Sequence, residues 1–438
     1  MMQLYPHQQK ALKETEKLNR VAYYLDMGLG KTFIGSEKLY DLNETINLVI
    51  CQKSKIRDWF WHFKNNYPYL TVFDLTIKNH FIGFWQWVEK EKDREPGNYI
   101  SKITCVGIIN YDLVFRRLEF LNLNQFTLML DESSIIQNEK AKRTKFVLKM
   151  HPENVILLSG TPTAGKYEKL WSQIHLLGWK ISKNLFYRQY VITEWIEDKE
   201  SGFRIPVVVG YKNVERLKRK LAEYGAVFMK SEEVFDLPEQ TFITVKSKPT
   251  KYYQKFMKDD LVTVNEREFI GDTNLSKRIY SRMLCSYLNP ERIAAFTDLI
   301  HSTEDRLIVF YNFDDELFSM CSIVEKMERP ISIVNGKIKD LEAYEKKNDS
   351  VTFVQYQAGA MGLNLQKANK VIYFSLTDRT ELFEQSKKRI HRIGQNNKCF
   401  YYIMLCPGTI EADILKTLKE RKDYTDELFK KFKAAYAG

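Results

Sequence analysis

The sequence predicts an α/β protein of two lobes, each a parallel sheet covered by helices. Three observations carry that expectation. Short runs of β-branched and aromatic residues alternate with helix-length amphipathic segments, the pattern of strands buried on both faces. The runs fall into two groups separated by a long gap. At 438 residues the chain also exceeds what one hydrophobic core comfortably serves.

The first group of strands reads Val21–Leu25, Asn47–Cys51, Cys105–Ile109, Phe126–Leu130 and Asn154–Ser159. The second reads Arg306–Tyr311, Ile331–Asn335, Val351–Tyr356, Lys370–Ser375 and Cys399–Leu405. Between them, residues 167–301 read as mostly helical and charged. Within that stretch Asn213–Gly225 puts Val214, Leu217 and Leu221 on one stripe ahead of a glycine stop. Its Arg216, Lys218, Arg219 and Lys220 read as a solvated face, with DNA contact as the alternative. The turn-rich Asp236–Gln240, followed by Pro249, marks the lobe boundary. The expected domains are 1–235, with a helical insertion near 167–225, and 236–438, entered through helices near 250–300.

Lys and Arg outnumber Asp and Glu by 67 to 56, a formal charge of +11 that favours a polyanionic partner, nucleic acid first. The six cysteines form no C-x-x-C pair and fit neither a zinc site nor a disulfide scaffold. The opening "MMQLYPHQQK" is not signal-peptide-like, and no apolar run approaches membrane-spanning length. These features predict a cytoplasmic protein with no membrane partner.

Two motifs carry chemistry. "LDMGLGKTF" follows the first strand and opens a helix. Gly28 and Gly30 let backbone N–H groups curl around phosphate oxygens; Lys31 supplies a point charge for the β and γ phosphates, and Thr32 is placed to ligate Mg²⁺. The strict phosphate-loop pattern is not met, because Leu25 stands at its first glycine position. "LMLDESS" runs off the end of a later strand: Asp131 is the candidate for holding Mg²⁺ through water, Glu132 for polarising the attacking water. A helix N-cap is the bland alternative for this pair. The two motifs are expected on neighbouring strands of one sheet.

With these residues in view, the chain resembles superfamily-two helicases, and among them the Swi/Snf-type DNA-dependent ATPases. "LYPHQQKAL" is similar to that family's adenine-reading segment, with Gln8 as the reader. "LDMGLGKT" resembles its nucleotide loop, so Asp26, Met27, Gly28, Leu29, Gly30, Lys31 and Thr32 are implied nucleotide contacts. "VICQKSKIRDWFWHF", "LDESS" and "LSGTPTAGKYEKLWSQIHLLG" follow in the family's order. So do "RLIVFYNF", "QAGAMGLNLQKANKVIYF" and "EQSKKRIHRIGQ". The resemblance implies two RecA-like lobes with the ATP site in the cleft between them and helical insertions around the lobe junction. It implies ATP and Mg²⁺ as cofactors, with Thr32 and Asp131 on the metal and Gly362 and Gln385 among the nucleotide contacts.

Arg389 and Arg392 lie three apart, so on a helix they share a face. The resemblance implies that both reach the γ-phosphate, completing with Lys31, Asp131 and Glu132 the catalytic set. Lys387 and Lys388 are expected on a DNA backbone or in solvent, and His391 as a packing or polar-linking residue. Lys53, Ser54, Asn312, Gly336, Gln357 and Gly359 resemble the family's DNA-contact positions. Trp59, Trp61 and Trp171 are expected as core or interface anchors. The partner implied is duplex DNA, forked or branched DNA included, with a partner nuclease or replication proteins and a monomeric chain. The short length resembles compact bacteriophage members. Ser134 stands where the family has histidine, so the contact toward the "SGTP" segment must be remade by a hydroxyl or lost. Phe228–Met229 stand where the family carries a double arginine at the lobe junction.

Overall fold

The computed structural model describes residues 3–92, 104–197, 203–359 and 363–429. The chain divides into two compact units, residues 1–234 with 424–438, and residues 235–423. The expected second domain, 236–438, is therefore too long. Tyr424 packs its ring against Tyr167 and Tyr211, Asp426 pairs with Lys230, and Glu427 pairs with Lys218. The end of the last helix thus belongs to the first unit.

In the first unit seven strands form one sheet: β1 Arg20–Leu25, β2 Ile46–Cys51, β3 Leu70–Asp74, β4 Thr104–Asn110, β5 Phe126–Asp131, β6 Asn154–Ser159 and, after a separate hairpin, β9 Ala226–Met229. Their order is β3-β4-β2-β5-β6-β1-β9, and every pairing is parallel. β2, β4 and β6 are buried at every position, as apolar runs without alternation require of strands covered on both faces. The hairpin is β7 Val191–Glu197 paired antiparallel with β8 Arg204–Tyr211. It interrupts the expected insertion near 167–225, which is otherwise helical over Trp171–Leu176, Lys183–Tyr190 and Val214–Glu223. The β-branched and aromatic residues of "VITEWIE" and "RIPVVVGY" favour a pleated strand, although most of them stay exposed.

In the second unit the sheet runs β10 Gln240–Lys246, β18 Cys399–Leu405, β17 Lys370–Tyr373, β13 Leu307–Tyr311, β16 Val351–Gln355, β14 Ile331–Val334 and β15 Lys339–Asp340. Only the short β15 is antiparallel. A second hairpin, β11 Leu261–Val264 with β12 Arg267–Ile270, again interrupts a stretch expected to be helical.

All ten expected strands form. β3, β9 and β10 were not anticipated: β9 has only four residues, and polar residues break the apolar runs of β3 and β10. The helix Val214–Glu223 buries Leu217 and Leu221, and Gly225 ends it at φ +82°. Its basic residues do not form a single solvated face: Lys218 is buried between Glu215 and Glu427, while Arg216 and Arg219 are exposed. Phe228 and Met229 lie in β9 on the edge of the first sheet. Among the described residues no helix is long and apolar enough to cross a membrane.

Candidate functional site

In each sheet most of the predicted residues follow the carboxyl ends of parallel strands, where backbone N–H groups and loop side chains can face a ligand. β1 leads into the glycine loop and then into helix α2, Lys31–Leu42. Gly28 at φ +90° and Gly30 at φ +75° take left-handed conformations that a side chain would strain. A Cβ on Gly30 would also lie 2.1 Å from the Gln8 amide nitrogen. Gln8, on helix α1 (Pro6–Glu14), accepts from the Tyr5 N–H at 2.9 Å and donates to the Leu29 carbonyl at 3.2 Å. His7 contacts the same carbonyl at 3.0 Å. Both side chains thus brace the loop from behind.

Lys31 Nζ lies within the curve of the loop, donating to the Leu25 carbonyl at 2.9 Å and the Asp26 carbonyl at 3.3 Å. Asp26 accepts from the N–H and hydroxyl of Ser231, which ties the loop to the segment after β9. Met27, Lys31 and Thr32 are half-buried, Gly28 is exposed, and Leu29 is fully buried in support of the loop. A glycine-lined curve with an ammonium inside it and a twelve-residue helix opening from it fits a phosphate chain.

Asp131 ends β5 and Glu132 follows it. They are not on the strand beside the loop: β6 lies between β5 and β1. The intervening strand is useful, because it inserts the "SGTP" segment between the other two motifs. Ser159 pairs in register with Tyr24, and Leu158 with Asp131. A Cβ on Gly160 would lie 3.3 Å from Lys31 Nζ, so this segment closes on the lysine. Trp59, on helix α3 (Ile56–Asn66), donates its indole N–H to Asp131 Oδ2 at 2.8 Å. Burial pushes the Asp131 carboxyl above its ordinary range, while the Trp59 hydrogen bond and the nearby Lys31 charge oppose that rise.

A link from the acidic turn toward "SGTP" runs through Ser133. Ser133 Oγ donates to Gln173 Oε1 at 2.7 Å, and Gln173 Nε2 donates to the Pro162 carbonyl at 2.8 Å. Gln137 reaches the same carbonyl at 3.2 Å. Lys53 and Ser54 are exposed in a short turn after β2.

In the second unit, Asn312 follows β13, but its amide nitrogen is turned inward to Ser375 Oγ at 2.8 Å. Gln357 is exposed beyond β16, and Gly336 sits in an open turn after β14. Together with Arg278, Arg282 and Arg379, Asn312 and Gln357 line a pocket of about 330 Å³. Gly359 closes the short helix after β16, and Gly362 lies outside the described residues.

The two candidate arginines are not on a helix. The helix Thr380–Lys387 stops before them. Gln395 then donates to the carbonyls of Ile390, Gln366 and Ala368, and the Leu365 N–H takes the Arg389 carbonyl. The Arg389 and Ile390 carbonyls are thereby engaged outside a helical ladder, and Gly394 turns the chain at φ +89°. Arg389 is 3% exposed and reaches the Leu363 carbonyl at 3.4 Å. Arg392 is half-buried, which lowers its pKa. Lys387, expected on DNA or in solvent, is instead buried against Phe242 and Phe383 and paired with Glu384. His391 contacts the Pro238 carbonyl at 2.9 Å, a polar link as expected. Gln385 is buried.

Comparison with known proteins now bears on these residues. A family model described as the SNF2-related domain matches residues 24–295, more than half of the chain. The chain belongs to the SNF2-related family. A second model, the helicase conserved C-terminal domain, matches residues 291–394. This SNF2-related chain is 22% identical over 436 residues to the "Putative ATP-dependent helicase/translocase YwqA" of Bacillus subtilis, covering 92% of the chain and 46% of that protein. It is 22% identical over 437 residues to the human "SWI/SNF-related matrix-associated actin-dependent regulator of chromatin subfamily A member 1", covering 89% of the chain and 40% of that protein. The chain therefore spans less than half the length of these relatives. Among solved structures it resembles the "Sulfolobus solfataricus SWI2/SNF2 ATPase core in complex with dsDNA" at 20% identity and a TM-score of 0.42, covering 97% of this chain and 92% of that one. The SNF2-related match crosses the boundary between the compact units at Val234 and Phe235.

Sequence reasoning missed Trp59 and Gln173 as working polar groups. Trp59 had been expected only as an anchor, and Trp61, expected as a core or interface anchor, is 51% exposed and so not in the core. The signal for Gln173 was available in "LWSQIHLLG". A carboxamide on the apolar stripe of a helix is unfavourable unless buried partners await it.

Proposed function

We propose that this chain is an ATP-hydrolysing motor that translocates on duplex DNA. The observation that carries the reading is the placement, on adjacent strands β1, β6 and β5, of a glycine loop holding Lys31, the "SGTP" segment and the Asp131–Glu132 pair. In this reading Lys31 neutralises the β and γ phosphates and Glu132 polarises the attacking water. Thr32 and Asp131 are the residues that would hold Mg²⁺, whose charge offsets that of the triphosphate. Arg389 and Arg392 supply cationic charge to the γ-phosphate, and Gln8, Gly362 and Gln385 complete the nucleotide contacts. Lys53, Ser54, Gln357, Gly336 and Gly359 grip the DNA backbone. Asn312 contributes through its loop, since its amide serves Ser375. The names of the relatives and the net charge of +11 support ATP use and a polyanionic track. On the resemblance to compact bacteriophage proteins alone, the process is phage DNA replication or recombination.

A strand-separating helicase is the second reading, and the β7–β8 hairpin favours it. An exposed two-stranded element with Trp195 at 65% exposure offers a surface on which a base can stack. The testing experiment is ATP turnover measured with duplex DNA, single-stranded DNA and RNA, for the wild type and for Lys31→Ala, Glu132→Gln and Arg392→Ala. Turnover stimulated by duplex DNA, reduced about 10³-fold or more in each variant, supports the motor. Its stimulation should fall steeply as salt rises, because backbone contacts release counterions. Stimulation by RNA alone, or full turnover by Glu132→Gln, would sink it. Displacement of a triplex strand without duplex unwinding separates the first reading from the second.

A further inference from the structure

Glu132 occupies an unusual backbone position. Its φ of 54° and ψ of 59° lie in the left-handed region, where the Cβ of an L-residue crowds the following carbonyl. Such a conformation persists only where the surroundings over-determine it. Immediately after Glu132 comes the tight turn Ser133–Ile136, and the side-chain bond that leaves this turn from Ser133 goes to Gln173.

Gln173 is fully buried on the short helix Trp171–Leu176. Its Oε1 accepts from Ser133 Oγ at 2.7 Å and from the Tyr24 hydroxyl at 3.1 Å, while its Nε2 donates to the Pro162 carbonyl at 2.8 Å. The orientation of the amide is forced, because a carbonyl can only accept and must face the NH₂ end. One carboxamide therefore joins β1, the turn after β5 and the loop after β6.

We propose that Gln173 is a positioning residue for Glu132. Through Ser133 it holds the left-handed backbone that aims the Glu132 carboxylate, and through Pro162 it ties that aim to the segment closing on Lys31. The inference rests on the reading of Glu132 as the group that polarises the attacking water. Nucleotide affinity comes from the glycine loop, which Gln173 does not touch. Loss of the carboxamide should therefore lower kcat and leave KM for ATP in place, whereas a purely structural role would lower stability with no such split.

The experiment compares Ser133→Ala, Gln173→Leu, Gln173→Glu and the double variant Ser133→Ala/Gln173→Leu with the wild type, at saturating duplex DNA, by kcat, KM and thermal melting. Gln173→Leu is expected to lower kcat about tenfold or more with KM within about twofold, and Ser133→Ala to lower it about fivefold. The double variant should be no slower than Gln173→Leu alone, since both changes break one chain of contacts. A folded Gln173→Leu protein with kcat within about twofold of wild type would overturn the proposal, as would losses that multiply in the double variant. If Gln173→Leu fails to fold, Ser133→Ala and Gln173→Glu decide by the same kcat and KM criterion. Glu132→Gln serves as the control. If it is inert while the Gln173 variants are normal, only this inference fails; if it turns over normally, the reading beneath it fails too.

Discussion

The two units use different polar chemistry to fasten the loops at the ends of their strands. In the first unit several of the fastenings are neutral. Gln8 holds Leu29, Gln173 holds Ser133 and Pro162, and a Ser36–His62 bond of 2.9 Å joins helices α2 and α3. In the second unit they are often charged and deeply buried. Arg292, with no exposed surface, grips Glu411 with both ends of its guanidinium and also donates to the Phe374 carbonyl. Glu411 in turn accepts from the Cys406 N–H at 2.8 Å. One ion pair thus fixes the segments after β17 and β18 to the helix Pro290–His301. The difference teaches where each unit is vulnerable. A neutral link leaves a single unsatisfied dipole when broken, but half of a buried ion pair leaves an uncompensated charge.

The largest test of that contrast is Glu411→Gln, expected to destabilise the second unit by about 3–5 kcal/mol in denaturant unfolding. Arg292→Met combined with Glu411→Leu should recover most of the loss, because no buried charge then remains. If the single change costs no more than a neutral link does, the contrast is wrong. Next comes Gln395→Leu, which breaks a neutral fastening inside the charged unit. It strands the carbonyls of Ile390, Gln366 and Ala368 and should cost roughly 2–3 kcal/mol. Because those bonds shape the turn carrying Arg389 and Arg392, ATP turnover should fall in the same variant even well below its melting temperature.

The smallest effect is acid sensitivity in the first unit. Burial lowers the His62 pKa to about 4, below its ordinary value of 6.5. The unfolded chain therefore binds the proton more readily between those values. The stability contributed by neutral His62 is fully present above about pH 6.5 and is lost progressively as pH falls toward 4. His62→Gln should flatten that part of the stability-against-pH curve, measured by melting of the wild type and variant side by side. An unchanged slope would show that other groups carry the acid sensitivity.

The candidate site was unevenly legible, and the same division explains why. The glycine loop and the Asp131–Glu132 pair could be read because each follows an apolar strand, and a parallel ladder delivers its last residue to one edge of the sheet. Arg389 and Arg392 could be read as residues but not as geometry. Three-residue spacing suggested one helical face, whereas Gln395, Leu365 and Gly394 unwind the chain there. Lys387 was misread because its charge suggested solvent, while the two rings around it and Glu384 come from places no local pattern reveals. The β7–β8 hairpin was missed because its strands are exposed and lack the alternation that marks a half-buried strand.

By itself the sequence determined which segments become buried strands, because apolar β-branched runs have few other ways to leave water. It also determined which residues stand at strand ends, since a strand can deliver only the residue that follows it. Tertiary structure alone decided that β6 separates β1 from β5, that Ser133 bonds Gln173 and through it reaches Pro162, and that Trp59 bonds Asp131. Those choices depend on contacts between residues 40 and 72 positions apart, and the partner of a buried polar atom is set by three-dimensional proximity that no local pattern encodes.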